Sequence, residues 1–490
     1  MATPTVDVYK LEKLRALVFV SDVPASQSLN ANSTFSQLIL EIGAIEQFSS
    51  ARHHLGFYHN VGISASYSHP SLDILTIKET VFSALAAVIN RHTILSAIPI
   101  DEHSAHPYFA RLPSINLEEA VTFLARNTPV PENEADTELD RLLQDQHNIP
   151  FKSRYGELPF WRLIILIKPQ TRTGSACEFI GSFIFHHALG DGGSGMLFHK
   201  HFLSALLSNA APLTSTTIPS PSLPLTPNLE LLHPTRIPAS PPTPSLQGLW
   251  SGTHTSLPLT SKFRSLTIPS STTSRFLAAC RANSTTITAT IPVLIASALS
   301  SLLPGQYTDF EACIPVNLRR FLPVTITATE PMGVFIDAFS HYYTREDLSP
   351  SSLWGEARRS KEIITSYLQT ANVHINIAKL GKVADMREFF LSRVGQERGS
   401  SFDISNLGGL GLTSNETDRG EEGWKMGRMA FSRSAFVAGS AFSTGLVTGP
   451  DGCLVFGFVW QEGVVERELI ENVAGHVERD IERIARTEML

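Results

Sequence analysis

The chain predicts an α+β fold built in two halves, and three observations carry that reading. It is 490 residues long, more than one ordinary hydrophobic core organises. The stretch from Pro212 to Pro244 holds ten of the 30 prolines and almost no periodic apolar pattern, the composition of a linker or a surface crossover loop. On either side of it apolar residues recur with periods of both 3.6 and 2, so helices and strands are mixed in each half. The divisions drawn are 1–210, a Pro/Ser-rich crossover over 211–260, and 261–490.

In the first half, "NVGISASYS" alternates as a strand does. "TIKETVFSALAAVINRH" (Thr76 to His92) sets Val81, Leu85, Val88 and Ile89 along one helical face, with Thr76 as its cap. "LPFWRLIILIKP" is a nearly continuous apolar run suited to a buried strand, and "ACEFIGSFIFHH" is another strand. The next stretch, "SGMLFHKHFLSALLSN", is helical, with Met196, Leu197, Phe202, Leu203 and Leu206 facing inward. The second half repeats the mixture with a helix around "TATIPVLIASALSSLL" and a strand at "DFEACIPVNL". In "SRSAFVAGSAFSTGLVTGPDGCLVFGFVW" the turn Gly449–Gly452 joins two apolar runs into a hairpin. "VVERELIENVAGHVERDIERIART" ends the pattern as an amphipathic helix. Two α+β halves around a crossover imply a cleft between them, where ligands commonly bind.

With 42% hydrophobic and 17% charged residues, each half can bury a core. A net charge of −7 argues against a nucleic-acid binder, which needs a broad basic surface to displace counterions from phosphates. Cys177, Cys280, Cys313 and Cys453 lie far apart in no metal-ligand spacing, and read as buried small hydrophobes in a reducing compartment. The first twenty residues lack a basic start followed by a long apolar core, so no signal peptide is read and the sequons at Asn32 and Asn283 carry no weight. No run reaches the length of a membrane span. The expected location is cytoplasmic, with a peripheral placement at the endoplasmic reticulum or lipid droplets left open by the weakly amphipathic "YKLEKLRALVFV".

The chemistry concentrates at "SFIFHHALGDGGSGMLFHKHF", Ser182 to Phe202. A strand running into His186-His187 places one imidazole on each face, so one faces the cleft while the other packs inward. Neutral imidazole, with a reference pKa of ~6.5, is the natural base for a hydroxyl or thiol near neutral pH. The glycines at 190, 192 and 193 let the chain turn sharply and a ligand approach the backbone. Asp191 is expected to hold the loop through an arginine. His53, His54, His199 and His201 are read as ordinary surface histidines.

"HHALGDG" resembles the HHxxxDG signature of the CoA-dependent acyltransferase superfamily, which includes chloramphenicol acetyltransferase, plant BAHD acyltransferases and condensation domains of nonribosomal peptide synthesis. The longer string "FHHALGDGGSGMLFH", with "LPFWRLIIL" before it, resembles the fungal alcohol acetyltransferases. "IPVNLRRFLP", "MGVF" (Met332 to Phe335), "ISNLGGLG" (Ile404 to Gly411) and "GCLVFGFVWQEGVVE" stand in the expected order, while the plant-type DFGWG motif is missing. The resemblance implies two chloramphenicol-acetyltransferase-like domains, each a mixed sheet with helices, with a tunnel between them. An acyl-CoA co-substrate enters one mouth and a small hydroxyl-bearing acceptor the other, with no permanently bound cofactor, no metal and a monomeric chain. His187 would be the general base, His186 and Gly192 would support the motif, and Ser405 and Asn406 would serve as oxyanion donors or brace the interdomain loop. The phosphates of CoA need basic groups at one mouth, for which Lys262, Arg264, Arg319 and Arg320 are the candidates. No GxSxG elbow points to a serine intermediate.

Three functions compete: an O-acyltransferase using acetyl-CoA, a condensation-type or N-acylating catalyst with the same histidine, and a non-catalytic binding protein on the same fold. The chain carries no pantetheine-bearing carrier segment, which favours free CoA over the second, and it keeps the histidine whose loss would signal the third.

Overall fold

The computed structural model describes residues 12–13, 42–131, 134–169, 176–208, 212–239, 246–349, 351–412 and 423–487. Most of "YKLEKLRALVFV", and Asn32, lie outside them. Helix α1 (Ala44–His54) leads into β1 (Val61–His69) and α2 (Ile77–Arg91), followed by β2 (Val121–Ala125), α3 (Thr137–His147), β3 (Trp161–Ile167), β4 (Cys177–Phe185) and α4 (Gly192–Leu207). Beyond the crossover come β5 (Ser261–Ile268), α5 (Ser270–Ala282), α6 (Ile287–Leu302), β6 (Asp309–Asn317), β7 (Ile336–Thr344) and α7 (Leu353–Thr370). Strands β8 (Phe402–Gly409), β9 (Lys425–Arg433), β10 (Phe442–Thr448) and β11 (Leu454–Gln461) precede α8 (Arg467–Thr487).

The first large sheet runs β9-β1-β4-β3-β2 and the second β5-β11-β10-β8-β6-β7. Both are mixed: β2 and β3 run parallel, as do β6 with β8 and β8 with β10, and the other pairs are antiparallel. Alternation along β1 and β4 sorts side chains to two faces. Phe183 stacks on Phe198 of α4 at 3.8 Å between ring centroids, and Tyr67 on Phe179 at 5.0 Å. On the other face Ser64 and Ser182 bond to each other at 2.8 Å. A second core forms between the other sheet and α5, α6 and α8, where Phe276, Leu299, Phe456, Phe458 and Val473 are fully buried. The hairpin predicted at Gly449–Gly452 joins β10 to β11.

Three features depart from the sequence reading. Strand β9 belongs by sequence to the second half but forms the edge of the first sheet, pairing antiparallel with β1 from Arg433 opposite Val61 to Lys425 opposite Ser68. The second sheet presses on it so closely that a Cβ on Gly457 would stand 2.2 Å from the main-chain oxygen of Phe431. The crossover is anchored rather than free: Thr217–Pro219 pairs with Ser114–Asn116, and Leu229 and Trp250 are buried. Thr76 does sit at the start of α2, yet its hydroxyl donates to the Asp73 carbonyl instead of capping the helix.

The four cysteines are unpaired, three buried and Cys313 partly so. Among the described residues no single helix is long and apolar enough to cross a membrane.

Candidate active site

β4 ends at Phe185, hydrogen-bonded in register with Val61 of β1 on one side and Trp161 of β3 on the other. The HHALGDG turn therefore leaves the middle of a sheet. His186 turns inward and is 1% exposed. Its Nδ1 accepts the Ala188 N–H at 3.0 Å, so its proton sits on Nε2, 3.1 Å from Glu102 Oε1 though poorly aligned with it. Glu102 Oε2 lies 2.9 Å from Nδ1 of His53, whose Nε2 accepts the Phe151 N–H at 3.0 Å. Burial alone would raise the Glu102 carboxyl, but the two imidazoles outweigh it and hold it well below the usual carboxylate range. Burial and the His53 ring lower His186 to about 4.

The donor set His53, Glu102 and His186 is close enough to hold a metal ion, but its protons are wrong for one. Each imidazole spends its other nitrogen accepting a main-chain N–H, so the nitrogen facing Glu102 must carry the hydrogen and has no lone pair to give. The trio is a brace for the turn.

His187 points the other way. It is partly exposed, its ring lies 5.8 Å from that of Tyr58, and its Nε2 makes no hydrogen bond among the described residues. Nδ1 is sealed from solvent and finds no well-aligned partner, although the residue's own carbonyl favours a proton on the ring. Burial first, and then the Arg52 charge, lower His187 to about 3.

Asp191 caps α4, accepting the Ser194 N–H on Oδ1 at 2.8 Å. Its Oδ2 accepts the Phe335 N–H at 2.9 Å and meets Arg319 Nη1 at 2.9 Å. Burial would raise this carboxyl, and Arg319 with the main-chain donors more than offsets it, leaving it below its ordinary value. Arg319 Nη2 also donates to the Ser194 hydroxyl and the Gly333 carbonyl. Asp191 thus binds the motif turn to two segments of the second half, "NLRRF" and "MGVF". Arg319, a sequence candidate for CoA phosphates, is occupied in that brace. Its close approach also explains the glycines: a Cβ on Gly193 would stand 2.6 Å from Arg319 Nη1, and one on Gly192 would stand 2.5 Å from Leu407 of β8. Gly190, Gly192 and Gly193 are not among the positive-φ glycines, so the sharp-turn argument is replaced by packing: Gly192 and Gly193 against the second half, and Gly190 against Ser194 of α4, where a Cβ would stand 2.6 Å from its Cβ.

The remaining candidates disperse. Ser405 and Asn406 lie on β8; the Asn406 amide donates to Thr288 Oγ1 at 2.9 Å and accepts from Gly408 N–H at 2.9 Å, a strand-end brace. Lys262 pairs with Glu462 at 2.8 Å, Arg264 is half-buried on β5, and Arg320 is exposed beside the Phe321 ring.

Three histidines read as surface residues are core residues. His53 is fully buried in the Glu102 trio. His199, fully buried, bonds Tyr67 and the Ile63 carbonyl, while His201 bonds His92 and Glu330. Position on a helix face does not show what packs over that face.

Sequence reasoning missed Glu102, Arg52, Tyr58 and the Asp403–Arg433 pair, closed at 2.5 Å between β8 and β9. Main-chain bonds between residues 57–60 and 434–437 extend the β1–β9 ladder and bring this group to the end of the sheet where His187 stands. A cavity of about 400 Å³ lies at the other end of these strands, walled by Ser66, Ser68, Lys425 and Met426 among others. No motif residue lines it, so it does not trace the tunnel implied at His187.

Known proteins match the chain over most of its length. The alcohol acetyltransferase family profile fits residues 41–211 and 250–473. A probable alcohol acetyltransferase of Aspergillus fumigatus is 36% identical over 454 residues, covering 88% of this chain and 96% of that one. Among solved structures, the trichothecene 15-O-acetyltransferase of Fusarium sporotrichioides superposes with a TM-score of 0.66 at 12% identity, over 91% of this chain and 94% of that one. The first condensation domain of the CDA synthetase superposes with a TM-score of 0.60 at 14% identity, over 91% and 95%. The fold is the two-domain architecture shared by these acyltransferases and condensation domains, and the chain belongs to the alcohol acetyltransferase family.

Proposed function

We propose that the chain moves an acetyl or short acyl group from a CoA thioester to an alcohol hydroxyl, with His187 as general base and no acyl-enzyme. One observation carries the reading: within HHALGDG, His186 turns inward, accepting the Ala188 N–H on Nδ1 and facing Glu102 with Nε2, while His187 keeps Nε2 free of protein partners among the described residues. A proton held on Nδ1, toward the residue's own carbonyl, leaves the Nε2 lone pair for the acceptor. The acceptor oxygen bonds to the thioester carbon as its proton passes to Nε2. The intermediate then collapses, the C–S bond breaks, and the imidazolium proton goes to the departing thiolate.

Direct attack needs both substrates bound at once, so that proximity supplies what a covalent intermediate would otherwise give. Initial rates with acetyl-CoA and a panel of alcohols, followed by thiol release, should therefore give intersecting double-reciprocal plots. Parallel plots, or acyl label retained on the denatured protein, would refute the mechanism. The acid side offers a second check. A base must be deprotonated to act, and burial with the Arg52 charge holds His187 at about 3. The fall in kcat/KM on acidification should therefore lie well below the ~6.5 of free imidazole. A midpoint at or above ~6.5 would contradict this environment.

A further inference from the structure

Acyl transfer needs a donor for the charge that develops on the thioester oxygen, and the Asn406 amide is already engaged with Thr288. Beside His187, two side chains hold hydrogen-bonding capacity that the described protein does not use. Tyr58 is 4% exposed and its ring is 5.8 Å from that of His187, yet its hydroxyl has no partner among the described residues. Buried tyrosine hydroxyls usually find one. Arg52 is 7% exposed and sets its guanidinium 4.1 Å from the Tyr58 ring centroid, 5.0 Å from Phe48 and 5.2 Å from Phe436. Its one side-chain hydrogen bond runs from Nη2 to Ser49 Oγ at 3.4 Å, and Nε has none. The neighbouring carboxylate, Asp403, is taken by Arg433. Two guanidiniums thus share one carboxylate next to a neutral imidazole. Such a surplus of buried positive charge is costly until something negative arrives.

We propose that Tyr58 and Arg52 form the oxyanion donor pair of this enzyme: the Tyr58 hydroxyl donates to the thioester oxygen as it becomes negative, and Arg52, stacked on the ring, polarises the phenol and balances the charge. The inference rests on the acyl-transfer reading. As the acceptor oxygen bonds to carbon, the carbonyl π pair moves onto oxygen, where Tyr58 holds it by a hydrogen bond without giving up its proton. The pair returns when the C–S bond breaks. Tyr58 is then a catalytic residue and Arg52 a positioning one.

The test compares full-length parent, Tyr58→Phe, Arg52→Lys, Arg52→Met and Ser405→Ala, each first shown to be folded by circular dichroism, using acetyl-CoA and an alcohol that the parent acetylates. Tyr58→Phe is expected to lower kcat by about 10²–10³, with KM for both substrates within about threefold and the acid limb unmoved. Arg52→Met should lower kcat and move the acid limb upward, because among the charges facing His187 (Arg52, Arg433 and Asp191) one that opposes the imidazolium is gone. Arg52→Lys, keeping the charge, should leave that limb in place, whereas a merely structural role predicts no difference between the two variants in pH profile. Tyr58→Phe turning over within threefold of the parent overturns the donor pair, as does a kcat loss found in Ser405→Ala instead. Those results leave acyl transfer standing; a parent that releases no thiol overturns both.

Discussion

His187→Ala is expected to lose transfer by a factor of about 10²–10⁴ in kcat, the range typical of removing a general base, while melting as the parent does. The two halves of this expectation have separate grounds. The ring makes no side-chain hydrogen bond among the described residues, and its recorded ring contact is with Tyr58, so truncation unties little. Chemically, the imidazoles of the turn's brace cannot stand in for it: His186 and His53 each accept a main-chain N–H on one nitrogen and face Glu102 with the other. Kinetics of thiol release together with a thermal melt on one preparation check both points. Near-parental turnover from a folded His187→Ala protein would exclude the mechanism.

Asp191→Asn is expected to weaken the fold and the activity together. Removing one member of a buried, hydrogen-bonded ion pair typically costs about 3–5 kcal/mol, and here Asp191 is 1% exposed while Arg319 is 15% exposed. An asparagine that keeps accepting the Ser194 N–H sets its NH2 where Oδ2 accepts from both Arg319 and the Phe335 N–H, donor against donor. The pH dependence has a definite sign. Because the folded pKa of Asp191 is depressed, its contribution is fully present above the unfolded value of ~3.9 and is lost as pH falls through the folded value. Denaturant unfolding of parent and variant should therefore show a constant gap at neutral pH that narrows only below about pH 4. A variant as stable as the parent but inactive would instead place Asp191 in the chemistry.

The motif was legible because its four fixed positions lie within seven residues, and a strand–turn–helix reading of that stretch needs nothing from elsewhere in the chain. The same locality explains the success with β4, α4 and the Gly449–Gly452 hairpin. What escaped notice was assembled by tertiary contact. Glu102 sits in a loop and gains its meaning from His53 and His186, 49 and 84 positions away in sequence. Arg52 stands in the last turn of a short, weakly patterned helix and reads as a solvent-facing charge until Tyr58 and Phe436 close over it. β9, "KMGRMAFSR", alternates too loosely to announce a strand, and nothing in it says that its partner is β1.

That exchanged strand also bears on how the protein comes into being. Residues 61–69 leave the ribosome long before residues 425–433 exist, so one edge of the first sheet waits through the synthesis of everything between them. At ~5–20 residues per second that wait lasts on the order of tens of seconds, during which the main-chain groups of β1 stand open to any passing strand. The motif turn, at the C-terminal end of β4, spends a shorter part of that interval, until Arg319 and Gly333 are made, without its brace. Catalytic competence therefore arises late, once both braces of the turn and the β9 edge are in place.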